Sequence, residues 1–463
     1  MGFVRSPLCF LCIVLSSRNR GFRSRSVRFA LIVVAGASLL PANPNFAEEP
    51  DVSETTQTLG GDLWSRPKLT GDWGGARDHW AAKGLTLDLD ATYIFQDVVS
   101  GGLRGPLFDR FSDERDSGNT FSSDLKLELD TGKAGWWEGG YFNVQVEGRA
   151  GRSVLQRAGS VSAVNNDALF PNVVDDFDEV ALAFTELTFT QYMGEKVAIF
   201  GGLINSAEGD ANELAGSSLS NEHFLNSALL YSLVEDATVP NVSLGGGILF
   251  EPSERISGSF SVFGSGETAG ENPFEDWRGT TFSTEWTFGH ALAERDGAQT
   301  FGFLFGIDAS RADIAVNPRI VIASVTHDRP IPTTDADTWA FYYNAHQFIH
   351  GDAEGGWGVF TRFGLSDGDP NVVKWNAAGG LGGIGLIPGR DKDRWGLGAF
   401  YLDMSDEDLL SGLGVGNEVG GEIFYNIVVT PWFHVTLDAQ VIDSAIPAGD
   451  TAWVLGLRTR IIF

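Results

Sequence analysis

The chain is short of cysteine, of basic residues and of long apolar runs, and each shortage excludes something. Cys9 and Cys12 are the only cysteines in 463 residues. Both fall within residues 1–47, so a chain processed after residue 47 has no disulfide frame and no thiolate chemistry. Lys and Arg number 32 against 61 Asp and Glu. Six of those arginines also lie in 1–47, which leaves 26 basic residues and a net charge of −35 on the remainder. Phosphate would be repelled, so no nucleic-acid partner is expected. Beyond residue 47 no 18 consecutive residues are apolar. A spanning helix needs about 20, so none is expected.

What is present begins with an amino-terminal leader. Arg18, Arg20, Arg23, Arg25 and Arg28 precede an apolar or small run at 29–40 and a polar stretch ending Asn45, Phe46 and Ala47. Basic, apolar and cleavage regions in that order read as a signal peptide over 1–47. A second apolar patch, 8–15, lies before the arginines and suggests a translation start downstream of Met1.

Two-residue alternation runs through the rest. Leu87, Leu89, Ala91, Tyr93 and Phe95 alternate with polar neighbours, as do Phe142, Val144 and Val146, then Phe282, Thr284, Trp286 and Phe288, then Phe433, Val435, Leu437, Ala439 and Val441. Successive strand side chains point to opposite faces, so each run has one apolar and one polar face. Strands are read at 86–98, 122–131, 139–150, 179–192, 196–204, 241–250, 255–265, 279–289, 300–312, 338–349, 355–365, 374–386, 394–404, 418–429, 433–442 and 451–463. They are even in number and mostly ten or more residues long, as tilted membrane strands of about 9–11 residues require. All prolines beyond residue 47 fall outside these runs. Short connections at 132–138, 193–195, 251–254, 290–299, 350–354, 387–393 and 430–432 alternate with mostly longer ones, led by 99–121, 151–178, 205–240 and 313–337. The fold class expected is all-β: a closed antiparallel transmembrane barrel of sixteen strands over 86–463, in a bacterial outer membrane, with short periplasmic turns and long outer loops. Lipid should meet the apolar set and water the polar set. Trp136, Trp137, Trp339, Trp395, Trp432 and Trp453 lie near strand ends, as interfacial girdles do.

The run PKLTGDWGGAR at 67–77, FLNSA at 224–228, PNVSLG at 240–245, GGIGLIPGR at 382–390 with Asp393, EIFY at 422–425 and the stretch from Gly456 to Phe463 together resemble the carbohydrate-selective porins of the OprB type. The resemblance covers roughly 65–463. It implies a sixteen-stranded barrel, passive diffusion of glucose and other sugars, and a terminal Phe463 read by the barrel assembly machinery. Residue patterns alone predict the barrel but not the sugar.

Selectivity needs a narrow ring of polar side chains. Parity points Asn143, Gln145, Glu147 and Arg149 inward on one strand, and Glu186, Glu285, Arg362, Glu422, Arg458 and Arg460 on others. Arg only donates hydrogen bonds and a carboxylate only accepts them, so the two together can hold a sugar hydroxyl. The constriction set expected is Asn143, Gln145, Glu147, Arg149, Glu186, Arg362 and Arg458. The loops 151–178 and 205–240 are long enough to fold inward. Residues 74–84 read as a short helix ending at Gly84. It belongs to a segment, 48–85, at the periplasmic mouth, as a partial plug or a plain cap.

Catalysis has little to stand on. GLGGIG at 380–385 has the letters of a dinucleotide loop but sits in a strand with no helix after it. His346 and His350 share a strand face with Asn344 but lack a third ligand. No enzyme, cofactor or metal is expected. The alternatives are a general porin, a polysaccharide exporter, and a barrel hydrolase, whose triad would leave little local trace. An exporter of polyanions should line its lumen with Arg and Lys, and the inward set is mixed. Expected partners are sugars and small hydrophilic solutes, membrane lipid and lipopolysaccharide.

Overall fold

A computed structural model describes residues 59–104, 115–168, 180–235, 238–270, 272–274, 277, 279–327, 329–447 and 449–463. The leader expected at 1–47 lies outside the described residues.

Sixteen strands close into one barrel in sequence order, each antiparallel to the next. They are β1 (Leu85–Gly102), β2 (Ser117–Asp130), β3 (Gly140–Gly151), β4 (Val180–Tyr192), β5 (Val197–Asn205), β6 (Val242–Ser253), β7 (Ile256–Gly264), β8 (Thr280–Leu292), β9 (Arg295–Ala312), β10 (Thr333–His350), β11 (Trp357–Ser366), β12 (Val373–Ile384), β13 (Arg394–Met404), β14 (Glu418–Thr430), β15 (Phe433–Asp443) and β16 (Asp450–Ile462). Closure is made by β1 on β16, with Thr92 opposite Arg460 and Ile94 opposite Arg458. Closure leaves the sheet without an open edge, as hydrocarbon demands. The connections 131–139, 193–196, 254–255, 293–294, 351–356, 385–393 and 431–432 lie on one rim, and the mostly longer ones on the other.

Several expectations need correction. The connection read at 290–299 is the two-residue turn 293–294, flanked by Leu292 and Arg295 in register. Ala293 and Glu294 have φ of 50° and 61°. Two positive φ angles match the twist of a tight hairpin, and neither residue type advertises that. Pro252 lies inside β6, not outside a strand. It falls where the register with β7 shifts between Phe250 and Ser253, so its missing N–H breaks no regular ladder bond. Strand β2 starts at Ser117, five residues before the expected start.

The largest correction concerns the inner wall. Phe360, Phe400, Leu402, Phe424, Ile442 and Val454 share the inward parity of Arg362, Glu422 and Arg458 yet are apolar and buried. They share one core cluster with Leu214, Phe224, Leu229, Leu230 and Val234 from the loop 206–241 and with Val154, Ala158 and Val164 from the loop after β3. From β10 round to β16 much of the lumen face is the floor of a core, and that is why β13 is apolar on both faces.

A helix at Ala76–Ala81 precedes β1, shorter than the 74–84 expected. Gly84, at φ +83°, ends the turn, and a Cβ there would sit 2.4 Å from the Asp130 carbonyl oxygen. The segment before β1 crosses the β1–β16 seam at the short-turn rim. Leu69 N donates to Ile462 O at 2.8 Å. Arg77 Nη2 donates to the carbonyls of Leu87 and Phe463, both at 2.8 Å.

Candidate functional site

The site is the bore of the barrel and the insert within it. The loops after β3 and β5 fold inward and hydrogen-bond to each other. Asn166 N donates to Leu225 O at 2.8 Å and Ser227 N to Ala163 O at 2.9 Å. Backbone removed from water needs partners, and the wall supplies them as charged side chains.

Arg362 on β11 is fully buried. It donates to the carbonyls of Leu229 at 3.2 Å, Asp210 at 2.5 Å and Gly216 at 3.0 Å, and its Nη1 lies 2.6 Å from the Asp210 carboxylate. Glu422 accepts from Leu225 N at 2.6 Å and Asn226 N at 2.8 Å. Arg458 donates to His223 O at 2.6 Å. Glu285 accepts from Asp210 N at 3.2 Å and from Tyr342 Oη at 2.5 Å. Gln96 and Gln440 both donate to Val164 O at 2.8 Å.

The wall is also thin where the insert touches it. A Cβ on Gly382 would lie 2.5 Å from Leu214 O, one on Gly398 2.7 Å from Leu229 Cδ2, and one on Gly396 2.8 Å from Phe224 Cζ. GLGGIG at 380–385 therefore has a packing reason: a side chain at Gly382 would meet the insert. Phe224 closes the contact, its ring 4.8 Å from Phe424 and 5.5 Å from Phe360. Burying Leu214, Phe224, Leu229 and Leu230 stabilises the docked insert by roughly 1.5–3 kcal/mol each.

The opposite wall holds the insert differently. On β3, Glu147 accepts from Gln145 at 2.7 Å, Arg149 at 3.1 Å, Thr185 at 3.0 Å and Asn205 at 3.1 Å. Arg149 also meets Asp124 at 3.0 Å and the insert's Asp167 at 3.5 Å. Strands β3 and β11 are eight apart in a ring of sixteen, so the insert crosses the bore from Arg149 to Arg362.

The expected constriction residues therefore fall into two groups. Asn143, Gln145, Glu147 and Arg149 line one face of β3, with Glu186 of β4 opposite Gln145. Arg362 and Arg458 lie beneath the insert and grip its backbone. Arg460 bridges Asp90 at 2.5 Å and the insert's Glu222 at 2.6 Å. His346 is followed on its face by Phe348, which is buried, and among the described residues no group of three metal-binding side chains occurs. Sequence reasoning missed Glu418 and Asp210. Glu418 accepts from Ser160, Val161 and Ser162 at 2.7–3.0 Å. Its signal was available, since it shares strand parity with Glu422. Asp210 left no local signal, because its partner is 152 residues away.

At the short-turn rim, Asp393 organises the turn before β13. Its carboxylate accepts from Arg390 at 2.6 and 2.7 Å, Tyr425 at 2.9 Å and Val428 N at 2.9 Å. Burial pushes this carboxyl up, but the hydrogen bonds from Arg390, Val428 and Tyr425 outweigh it and hold Asp393 below its ordinary value of 3.8.

A closed sixteen-stranded antiparallel barrel, narrowed by inward loops, is the architecture of an outer-membrane porin. A family model, "Carbohydrate-selective porin, OprB family", matches residues 115–463. The chain belongs to that family, and it is a porin for passive, carbohydrate-selective diffusion across the outer membrane of Gram-negative bacteria. Its fold is similar to that of Pseudomonas putida OprB solved at high pH, with a TM-score of 0.71 and 19% identity over 87% of this chain and 100% of that one. The low-pH structure of the same protein gives 0.55 and 16%, over 86% and 99%. No curated protein sequence matches.

Proposed function

We propose that sugars pass the narrowest part of the bore between the β3–β4 wall and the insert. Asn143, Gln145, Glu147, Arg149 and Glu186 form the wall side of this constriction. Arg362 and Arg458 belong to it by fixing where the insert stands. The observation that carries the reading is the insert's bridge across the bore, from Arg149–Asp167 to Arg362–Asp210. A preorganised ring costs little ordering when a solute enters. Passage is diffusion without a catalytic step. Planar-bilayer conductance tests the reading: removing the β11 latch with Arg362→Ala should raise sugar-free conductance and weaken block by glucose oligomers together. Unchanged conductance and unchanged block would defeat it.

The finer assignments follow the same reading. Residues 1–47 are a cleaved leader, and 48–85 ends in a seam clasp at the periplasmic mouth. Phe463 is the carboxy-terminal signal for the assembly machinery. Lipopolysaccharide packs around the long-loop rim. Amino-terminal sequencing of the exported protein tests the leader, and a start well before Glu48 would exclude it.

A further inference from the structure

Most inward polar groups already have partners inside the chain, and these cannot bind a solute without giving something up. Four neighbours differ. Glu128 on β2 stands opposite Asn143 on β3, and Tyr141 lies two residues from Asn143 on the same inward face. Tyr192, the last residue of β4, is diagonal to Tyr141, with ring centroids 5.7 Å apart at 80°. Among the described residues, the polar ends of Glu128, Tyr141, Asn143 and Tyr192 have no hydrogen-bond or ion-pair partner within the chain. All four are exposed or half-buried. Nearby Asp130 differs, since it caps the turn at Gly132 and Lys133.

The two tyrosines are not girdle residues. Girdle aromatics face lipid, as Trp136 and Trp137 do, 60% and 45% exposed beside Phe142. Tyr141 and Tyr192 have the opposite parity and face the bore. An aromatic face in water beside free acceptors and donors has a clear chemical complement. A pyranose has C–H bonds on its faces and hydroxyls around its edge. The C–H face covers the ring, the Glu128 carboxylate accepts from hydroxyls, and the Asn143 amide both donates and accepts.

We propose that Tyr141 and Tyr192, with Glu128 and Asn143, form a pyranose-stacking subsite in the periplasmic mouth of the channel, adjoining the constriction at Asn143. It is a rest position for a sugar that has passed the insert. The inference rests on carbohydrate passage, and its test separates the two. In planar bilayers, maltohexaose is added on the periplasmic side and its half-blocking concentration measured. Tyr141→Ala with Tyr192→Ala should raise that concentration about tenfold and alter sugar-free conductance little. Tyr141→Phe with Tyr192→Phe keeps both rings and should stay within about threefold of the parent. If the alanine pair gives no heat-modifiable barrel, Tyr141→Leu with Tyr192→Leu is read in its place, with the same tenfold expected. A parent channel that maltohexaose blocks, and variants blocked at the same concentration, would overturn the subsite and leave sugar passage standing. A parent channel that maltohexaose never blocks would overturn both. Phenylalanine variants as weak as the alanine pair would overturn stacking as the cause.

Discussion

Arg362 carries more of the site than any other side chain. A guanidinium removed from water is tolerated only with a full set of acceptors, and here three carbonyls and one carboxylate supply it. Removing one member of such a pair leaves a buried charge and costs about 3–5 kcal/mol. Asp210→Ala should therefore undock the insert, read as larger and noisier single-channel conductance. Arg362→Met with Asp210→Leu should be closer to the parent, because no charge is left buried. Asp393 works at the other rim. Its carboxyl titrates lower when folded than when unfolded. Its contribution is full above the unfolded value of 3.8 and fades as pH falls through the folded value. Protection of the Val428 amide, taken relative to its intrinsic exchange rate at each pH, should fall below about pH 3.8, and Asp393→Asn should abolish that fall.

Elements obey rules that single residues hide. Strands β11 to β13 present glycine to the bore where the insert's backbone and side chains lie against them. Gly382→Val and Gly398→Val should each displace the insert at a cost of about 1–3 kcal/mol, raising conductance while the barrel still forms. The β8–β9 hairpin holds Ala293 and Glu294 in left-handed conformation, which costs L residues about 1–2 kcal/mol each. Ala293→Asn with Glu294→Gly supplies residues that favour positive φ. The variant should unfold at higher denaturant, by about 1 kcal/mol or more.

The molecule as a whole is a ring that needs one seam. Its last strand meets its first, and the segment before β1 crosses that seam through Leu69 and Arg77. Arg77→Ala should lower the urea midpoint of the folded barrel and leave conductance and sugar block unchanged, since among the described residues no Arg77 hydrogen bond reaches the insert. Altered conductance would give the segment a role in flux.

Strand number, closure, the rim to which each loop belongs and one face of the channel were readable from local pattern. Alternation has a period of two residues, so a handful of neighbours reveals it. Leu125, Leu127 and Leu129 declare the outside of β2 by themselves. The insert was not readable. Arg362 looks like any polar residue on an alternating strand, and only its meeting with Asp210, 152 residues earlier, distinguishes a latch from lumen lining. Apolar residues on the inner face of β13 and β14 broke the pattern without saying what they would cover. Local sequence determined that this chain is a closed barrel, because strand periodicity and backbone satisfaction in lipid leave few alternatives. Only the tertiary structure decided which inward residues are held by the insert and which stay free for a solute, because that depends on contacts between segments far apart in the chain.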